Sequence, residues 1–235
     1  MREPLRVRYC FDLPNGSQET IDLKFDVSDF RLLNTPPTEP PFWTELRFNQ
    51  CANCPLNSEQ HPHCPAALHM APAVELLSAL VSFDTVGVTV IQTECTLQTE
   101  TTAQQAMSSV LGLIMATAGC PWIDRLRPLA RFHQPFASDV ETVYRSICMF
   151  LLARELLGGN NQDDASGFAA LAQLADNLHV VNRDMSRRLG AAAKTDPARN
   201  AMALLDSCTT LLSAALDNSL SDLQPLFAAW RGTKF

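Results

Sequence analysis

An α+β fold follows from three features of the sequence. Two alternating apolar segments flank a turn signal within the first thirty residues. A Thr- and Val-rich stretch lies near residue 90, and helical periodicity dominates from residue 101 onward. The expected architecture is a small N-terminal antiparallel sheet with one helix, packed on a C-terminal helical bundle. The α+β region covers residues 1–100 and the bundle 101–235. No flexible linker separates them, which predicts one continuous structural unit.

The elements follow in order. Residues 5–13, LRVRYCFDL, place Leu5, Val7, Tyr9, Phe11 and Leu13 on one face and Arg6, Arg8, Cys10 and Asp12 on the other. Residues 21–27, IDLKFDV, alternate in the same way. Asn15-Gly16 between them tolerates positive φ, so the pair reads as a β-hairpin. Four prolines in residues 34–42 predict an extended connector, followed by a short strand over 44–48. Residues 66–83 read as a helix and 86–101 as one long or two short strands. Thr101 with Gln104 is a capping-box pattern before a helix over 102–118, stopped by Gly119-Cys120-Pro121. Ser138 and Glu141 form a second capping box, and Gly158-Gly159 close the helix it starts. Phe168, Leu171, Ala175, Leu178, Asn182, Met185 and Leu189 then make a heptad seam, expected to pack within the chain rather than as a coiled-coil dimer. Asp196-Pro197 opens a helix over 197–216, and a last helix carries Leu223, Leu226, Phe227 and Trp230.

Composition narrows the function. The net charge is −7, and no Lys or Arg occurs between Phe48 and Asp124. Such a chain lacks the basic stripe that neutralises phosphates, so nucleic acid is not an expected partner. It also lacks a basic amphipathic helix or a spanning segment, so neither is a membrane. The N-terminus, MREPLRVRYCFDLPNG, has no apolar signal core and reads as mature sequence, which predicts a cytoplasmic protein with reduced thiols.

In that setting the segment QCANCPLNSEQHPHCP, residues 50–65, stands out. It spaces its cysteines as Cys51-x2-Cys54-x9-Cys64, with His61 and His63 inside. A C-x2-C step lets one turn present two thiolates to a tetrahedral Zn²⁺, at Zn–S distances of ~2.3 Å. His61-x2-Cys64 repeats the spacing with nitrogen and sulfur. His61 is favoured over His63, which adjoins Cys64 and would form a strained chelate. Thiolates with no basic residue near them in sequence repel one another, and a divalent cation relieves that. Three of the eight cysteines, Cys54, Cys64 and Cys120, precede proline. Cys-Pro also ends a ferredoxin ligand run, so a rival reading has Cys51, Cys54, Cys64 and Cys120 hold a [4Fe–4S] cluster, or Zn²⁺ in an all-thiolate site. Alternatively, Pro65 and Pro121 simply occupy the first turn of a helix.

A second constellation follows the cation-free stretch. Arg125, Arg127, Arg131 and His133 fall within nine residues, interleaved with Trp122, Phe132 and Phe136. Arginine forks beside a helix start suit a small anionic ligand; the plainer reading is a solvated basic segment paired with acidic neighbours. No dinucleotide, P-loop, nucleophile-elbow or H-E-x-x-H fingerprint is present.

The segments CANCPL, HPHCPAA, GLIMATAGCP and RPLARFHQPFAS resemble those of a bacterial family known only as a domain of unknown function, over about residues 1–155. The resemblance implies no activity. It implies that the cysteine loop and the 111–138 segment form one design, with Cys120 as a partner of the loop. The leading expectation is a metal-binding protein holding structural Zn²⁺ through Cys51, Cys54, Cys64 and a fourth ligand, Cys120, His61 or His63. It would act as a binding or regulatory module toward a protein or a small anion. The alternatives are an iron–sulfur redox or sensor protein, and an enzyme with an anion pocket at Arg131 and His133.

Overall fold

The computed structural model of the chain describes residues 3–157, 168–192, 196–218 and 220–231. Its N-terminal hairpin pairs β1 (Leu5–Asp12) with β2 (Gln18–Phe25), in a register that sets Leu5 opposite Phe25 and Asp12 opposite Gln18. Gly16 takes the positive φ, 83°, that the turn requires. Val7, Tyr9 and Phe11 are buried, as their alternation dictates. The Thr- and Val-rich stretch forms a second hairpin, β3 (Thr85–Ile91) and β4 (Thr96–Thr102), and the four antiparallel strands are ordered β2-β1-β3-β4.

Helix α1 (Pro65–Leu76) lies between the hairpins in sequence, with Cys64 at its N-cap and Pro65 in its first turn. It ends earlier than the 66–83 pattern suggests. The chain turns after Leu76, buries Leu77 and Leu80, and brings the Ser82 N–H to the Asp196 carboxylate. Helix α2 (Ala103–Met115) starts one residue later than the Thr101–Gln104 pattern implies, because Thr102 is its N-cap and accepts from the Gln105 N–H. The short α3 (Arg127–Arg131) precedes α4 (Asp139–Leu157), whose capping box is formed by Ser138 and Glu141 in both directions. The Gly158-Gly159 stop lies outside the described residues.

The heptad seam lies on α5 (Ala169–Ala192), which packs against α6 (Pro197–Asp217). The polar seam residue, Asn182, donates to Thr209 Oγ1 across that interface at 3.1 Å. One core joins Tyr9, Phe11 and Val88 of the sheet to Met70 of α1, Leu111 of α2, Met185 and Leu189 of α5, and Met202 of α6. A smaller cluster centres on Val143, Leu171, Ala175 and Leu212. The fold is thus α+β, a small antiparallel sheet followed mostly by helices.

Two expected elements differ. Residues 44–48 do not form a strand. A 3-10 turn at Phe42–Thr44 runs into further turns with one isolated bridge, Glu45 to His63. The reason lies in the backbone: the carbonyls of Trp43, Glu45 and Leu46 accept from the guanidinium of Arg188 instead of a neighbouring strand. The last segment, Gln224–Trp230, is a kinked 3-10 run in which Leu226, Phe227 and Trp230 are exposed and only the preceding Leu223 is buried. No helix among the described residues is long and apolar enough to cross a membrane.

Candidate functional site

The cysteine loop is closed by backbone geometry at both ends. Cys54 N–H donates to the Cys51 carbonyl at 3.0 Å, so the C-x2-C step is a tight turn. At the far end Cys64 N–H donates to the Thr44 carbonyl and Leu46 N–H to the Pro62 carbonyl, both at 2.8 Å. Three contacts then fasten the turn to the helices. Ala52 N–H donates to Asp184 at 2.8 Å, the Asn53 amide donates to Asn177 on α5, and Trp122 Nε1 donates to the Asn53 carbonyl at 2.8 Å. Trp122 is two residues from Cys120, so the last contact ties the loop to the segment that carries the fourth cysteine.

Cys51, Cys64 and Cys120 each lie close enough to neighbouring thiols, Cys54 among them, for those charges to oppose their ionisation. Burial first, then the charges of Cys64, Cys120, Asp184 and Cys54, push the Cys51 thiol up to about 12. Burial also raises Cys64 and Cys120. Each is partly compensated by backbone N–H groups of the following helical turn, from Ala67 and Ala66 toward Cys64 and from Ile123 and Trp122 toward Cys120. The Cys-Pro pairs at these two positions therefore have a shared structural basis. Pro65 occupies the first turn of α1 and Pro121 the turn that leads into a 3-10 helix at Ile123–Leu126, and the N–H groups behind each proline favour charge at sulfur.

The loop thiols also share a buried cation. Arg188 is 1% exposed, its guanidinium donates to the Trp43 and Glu45 carbonyls at 2.6 and 2.7 Å, and its charge favours ionisation of Cys64. Its Nε is buried without a partner. Arg188 and Asp184 were not legible as site residues. They stand four apart on a helix, a spacing typical of a solvent-exposed ion pair.

The two histidines of the loop have different surroundings. His61 is exposed. His63 Nδ1 is hydrogen-bonded to Thr44 Oγ1 at 2.8 Å, and neither ring figures among the groups that shift the thiols. Among the described residues no group of three or more His, Cys, Asp or Glu side chains is gathered as a single-ion site. A tetrahedral Zn²⁺ would draw its sulfurs to about 3.8 Å from one another, given Zn–S bonds of ~2.3 Å.

A family model described as a domain of unknown function (DUF6901) matches residues 7–228. The chain belongs to that family. No curated protein and no solved structure matches it. The DUF6901 match runs well past residue 155, where the resemblance in the sequence fades. The helical tail it includes is the part that supplies Asn177, Asp184 and Arg188 to the cysteine loop.

The arginine segment of this DUF6901 chain divides. Arg125, Arg127 and Arg131 line a cleft of about 510 Å³ together with Ser28, Asp29 and Asp124. His133 goes elsewhere: its Nε2 is hydrogen-bonded to the hydroxyl of Tyr9, which also meets Ser109 Oγ at 2.7 Å. Burial first, and then the charge of Arg145, push His133 down to about 4. The fully buried Tyr9 needs partners for its hydroxyl, and a neutral imidazole is one of them. His133 thus does not line the cleft with Arg125, Arg127 and Arg131 but faces the Tyr9 hydroxyl.

Proposed function

We propose that Cys51, Cys54, Cys64 and Cys120 hold an iron–sulfur cluster of the [4Fe–4S] type and that the protein works as a redox or sensing module. The observation that carries this reading is a set of four buried or half-buried cysteines drawn from two separate segments, three of which, Cys51, Cys64 and Cys120, are raised by burial and by the charge of neighbouring thiols. Thiols raised by burial make poor nucleophiles, which disfavours thiol catalysis. They are suited to a cationic centre that holds them deprotonated, and a cubane keeps its four cysteines farther apart than one ion does. Bound there, such a cluster supplies a one-electron couple. The chain would contribute the backbone N–H groups of residues 66–67 and 122–123 and the buried charge of Arg188, all of which favour added negative charge at sulfur.

A structural Zn²⁺ site is the second reading, favoured by the C-x2-C turn and by a loop wedged against α1 and α5, where a closed site would pin the fold. Purification without oxygen, followed by iron, sulfide and zinc analysis and a visible spectrum on one sample, tests both. The expected result is about four irons and four sulfides per chain with a brown chromophore. About one zinc without colour establishes the second reading instead. A chain with neither metal overturns both.

A further inference from the structure

The cleft beside the cysteine site has a composition that the thiols do not explain. One wall is the loop from Val27 to Phe30; the other runs from Pro121 to Arg131. Arg127 links the walls, pairing with Asp124 on its own side and with Asp29 across the cleft at 3.6 Å. Those two carboxylates offset its charge. Arg125 and Arg131 have no ion-pair partner among the described residues; each lies instead against aromatic rings. Arg125 lies over Trp122 at 4.8 Å, and Arg131 lies over Phe30 at 5.7 Å and Phe132 at 5.4 Å. Apart from one long hydrogen bond from Arg125 Nη1 to the Pro121 carbonyl, at 3.5 Å, their N–H groups are open to a ligand, and a guanidinium held over a ring has already lost rotamer entropy.

The opposite wall is strained. Phe30, a bulky residue, has φ of 57°. The strain is held by a closed set of hydrogen bonds: Phe30 N–H to the Asp26 carbonyl at 3.0 Å, Asp26 N–H to the Arg31 carbonyl at 2.9 Å, and Ser28 N–H to Asp26 Oδ1 at 2.8 Å. This conformation brings Asp29 to Arg127 and the Phe30 ring to Arg131. A loop that stores strain to shape a cleft wall, facing two cations without counter-charge, has the attributes of a preformed pocket.

We propose that this cleft binds a small molecule bearing an oxyanion, a carboxylate or a phosphoryl group, gripped by Arg125 and Arg131, with Arg127 held in place by Asp29 and Asp124. Planar guanidinium forks recognise both groups by paired hydrogen bonds. In a chain of net charge −7, these arginines are the first Lys or Arg residues after a run of 77 without one, Phe48 to Asp124 inclusive. The site is independent of the metal reading, since none of the four cysteines lines it.

Isothermal titration of the full chain with inorganic phosphate and, separately, with malonate tests the proposal. Saturable one-to-one binding of at least one probe is expected, weakening with added salt. R131Q should weaken it at least tenfold and R125Q/R131Q should abolish it, while R6Q, which removes the same charge on β1 outside the cleft, leaves it unchanged. Asp29→Asn should tighten binding several-fold by removing a competing carboxylate from Arg127. Phosphate or malonate alone saturating identifies the class of oxyanion. No saturable binding of either probe, or equal weakening by R6Q and R131Q, overturns the proposal. Thermal melts of each variant separate lost binding from lost fold.

Discussion

The carboxylate of Asp184 accepts a hydrogen bond from the backbone N–H of Ala52 at 2.8 Å, joining the cysteine turn to the middle of α5. Its side chain is fully buried, and its other partners are Arg183 and Arg187, each at 3.2 Å. Those arginines are half-exposed or more and can return to water when the carboxylate is lost. The Ala52 N–H cannot easily do so. Asp184→Ala is therefore expected to cost about 2 kcal/mol, the scale of a charge-assisted hydrogen bond. Urea denaturation reads this directly, and an unchanged midpoint would show that the turn holds its shape without α5.

Arg188 is the more demanding position. Arg188→Met leaves the Trp43, Glu45 and Leu46 carbonyls without their donor, and a loss of more than about 3 kcal/mol is expected. Arg188→Lys keeps the charge but loses the fork, so it should recover only part of that stability. Full recovery by lysine would mean that charge near the thiols, not carbonyl satisfaction, is what the guanidinium contributes.

The thiol site predicts a sharp division among substitutions. Serine at position 51, 54, 64 or 120 should each lower the bound metal strongly, because the four act as one ligand set. Serine at the exposed Cys95 or Cys148 should leave it unchanged. His61→Ala and His63→Ala should retain the metal. Elemental analysis of all eight variants checks this, and metal lost with either histidine would replace the all-thiolate site by a mixed one.

His133 predicts a pH dependence. Its folded value, about 4, lies below the usual histidine value of 6.5, so the unfolded chain binds the proton more readily. The contribution to stability is complete above pH ~6.5, declines as pH falls toward 4, and is level below that. Across that window the native chain should lose about 2–3 kcal/mol more than His133→Gln, in which the amide can still meet the Tyr9 hydroxyl. Parallel stability curves for the two proteins between pH 4 and 6.5 would refute the assignment.

Much of the architecture was legible because its signals are local. The 5–25 hairpin, the Ser138–Glu141 box and the heptad seam rest on periodicity or on contacts within a few residues, and each appears at its expected place. The expected strand at 44–48 failed for a non-local reason, since its carbonyls are claimed by Arg188, more than 140 residues away. The arginine segment divided for a similar reason. Nothing between Arg131 and His133 in the sequence marks the point where the chain turns from the cleft toward the buried hydroxyl of Tyr9.

The sequence by itself determined which residue types could make a soft-ligand site, the turn that presents Cys51 and Cys54, and the two helix starts that present Cys64 and Cys120. These are consequences of short-range backbone geometry and of proline's missing N–H. Only the tertiary structure decided that Cys120 lies within reach of the loop thiols' charge, that Asp184 and Arg188 stand behind the loop, and that a strained turn at Phe30 faces three arginines. Those juxtapositions are set by packing α2 against the sheet and α5 against α6 and the Phe42–Thr44 turn, where burial, rather than spacing along the chain, fixes which charges meet.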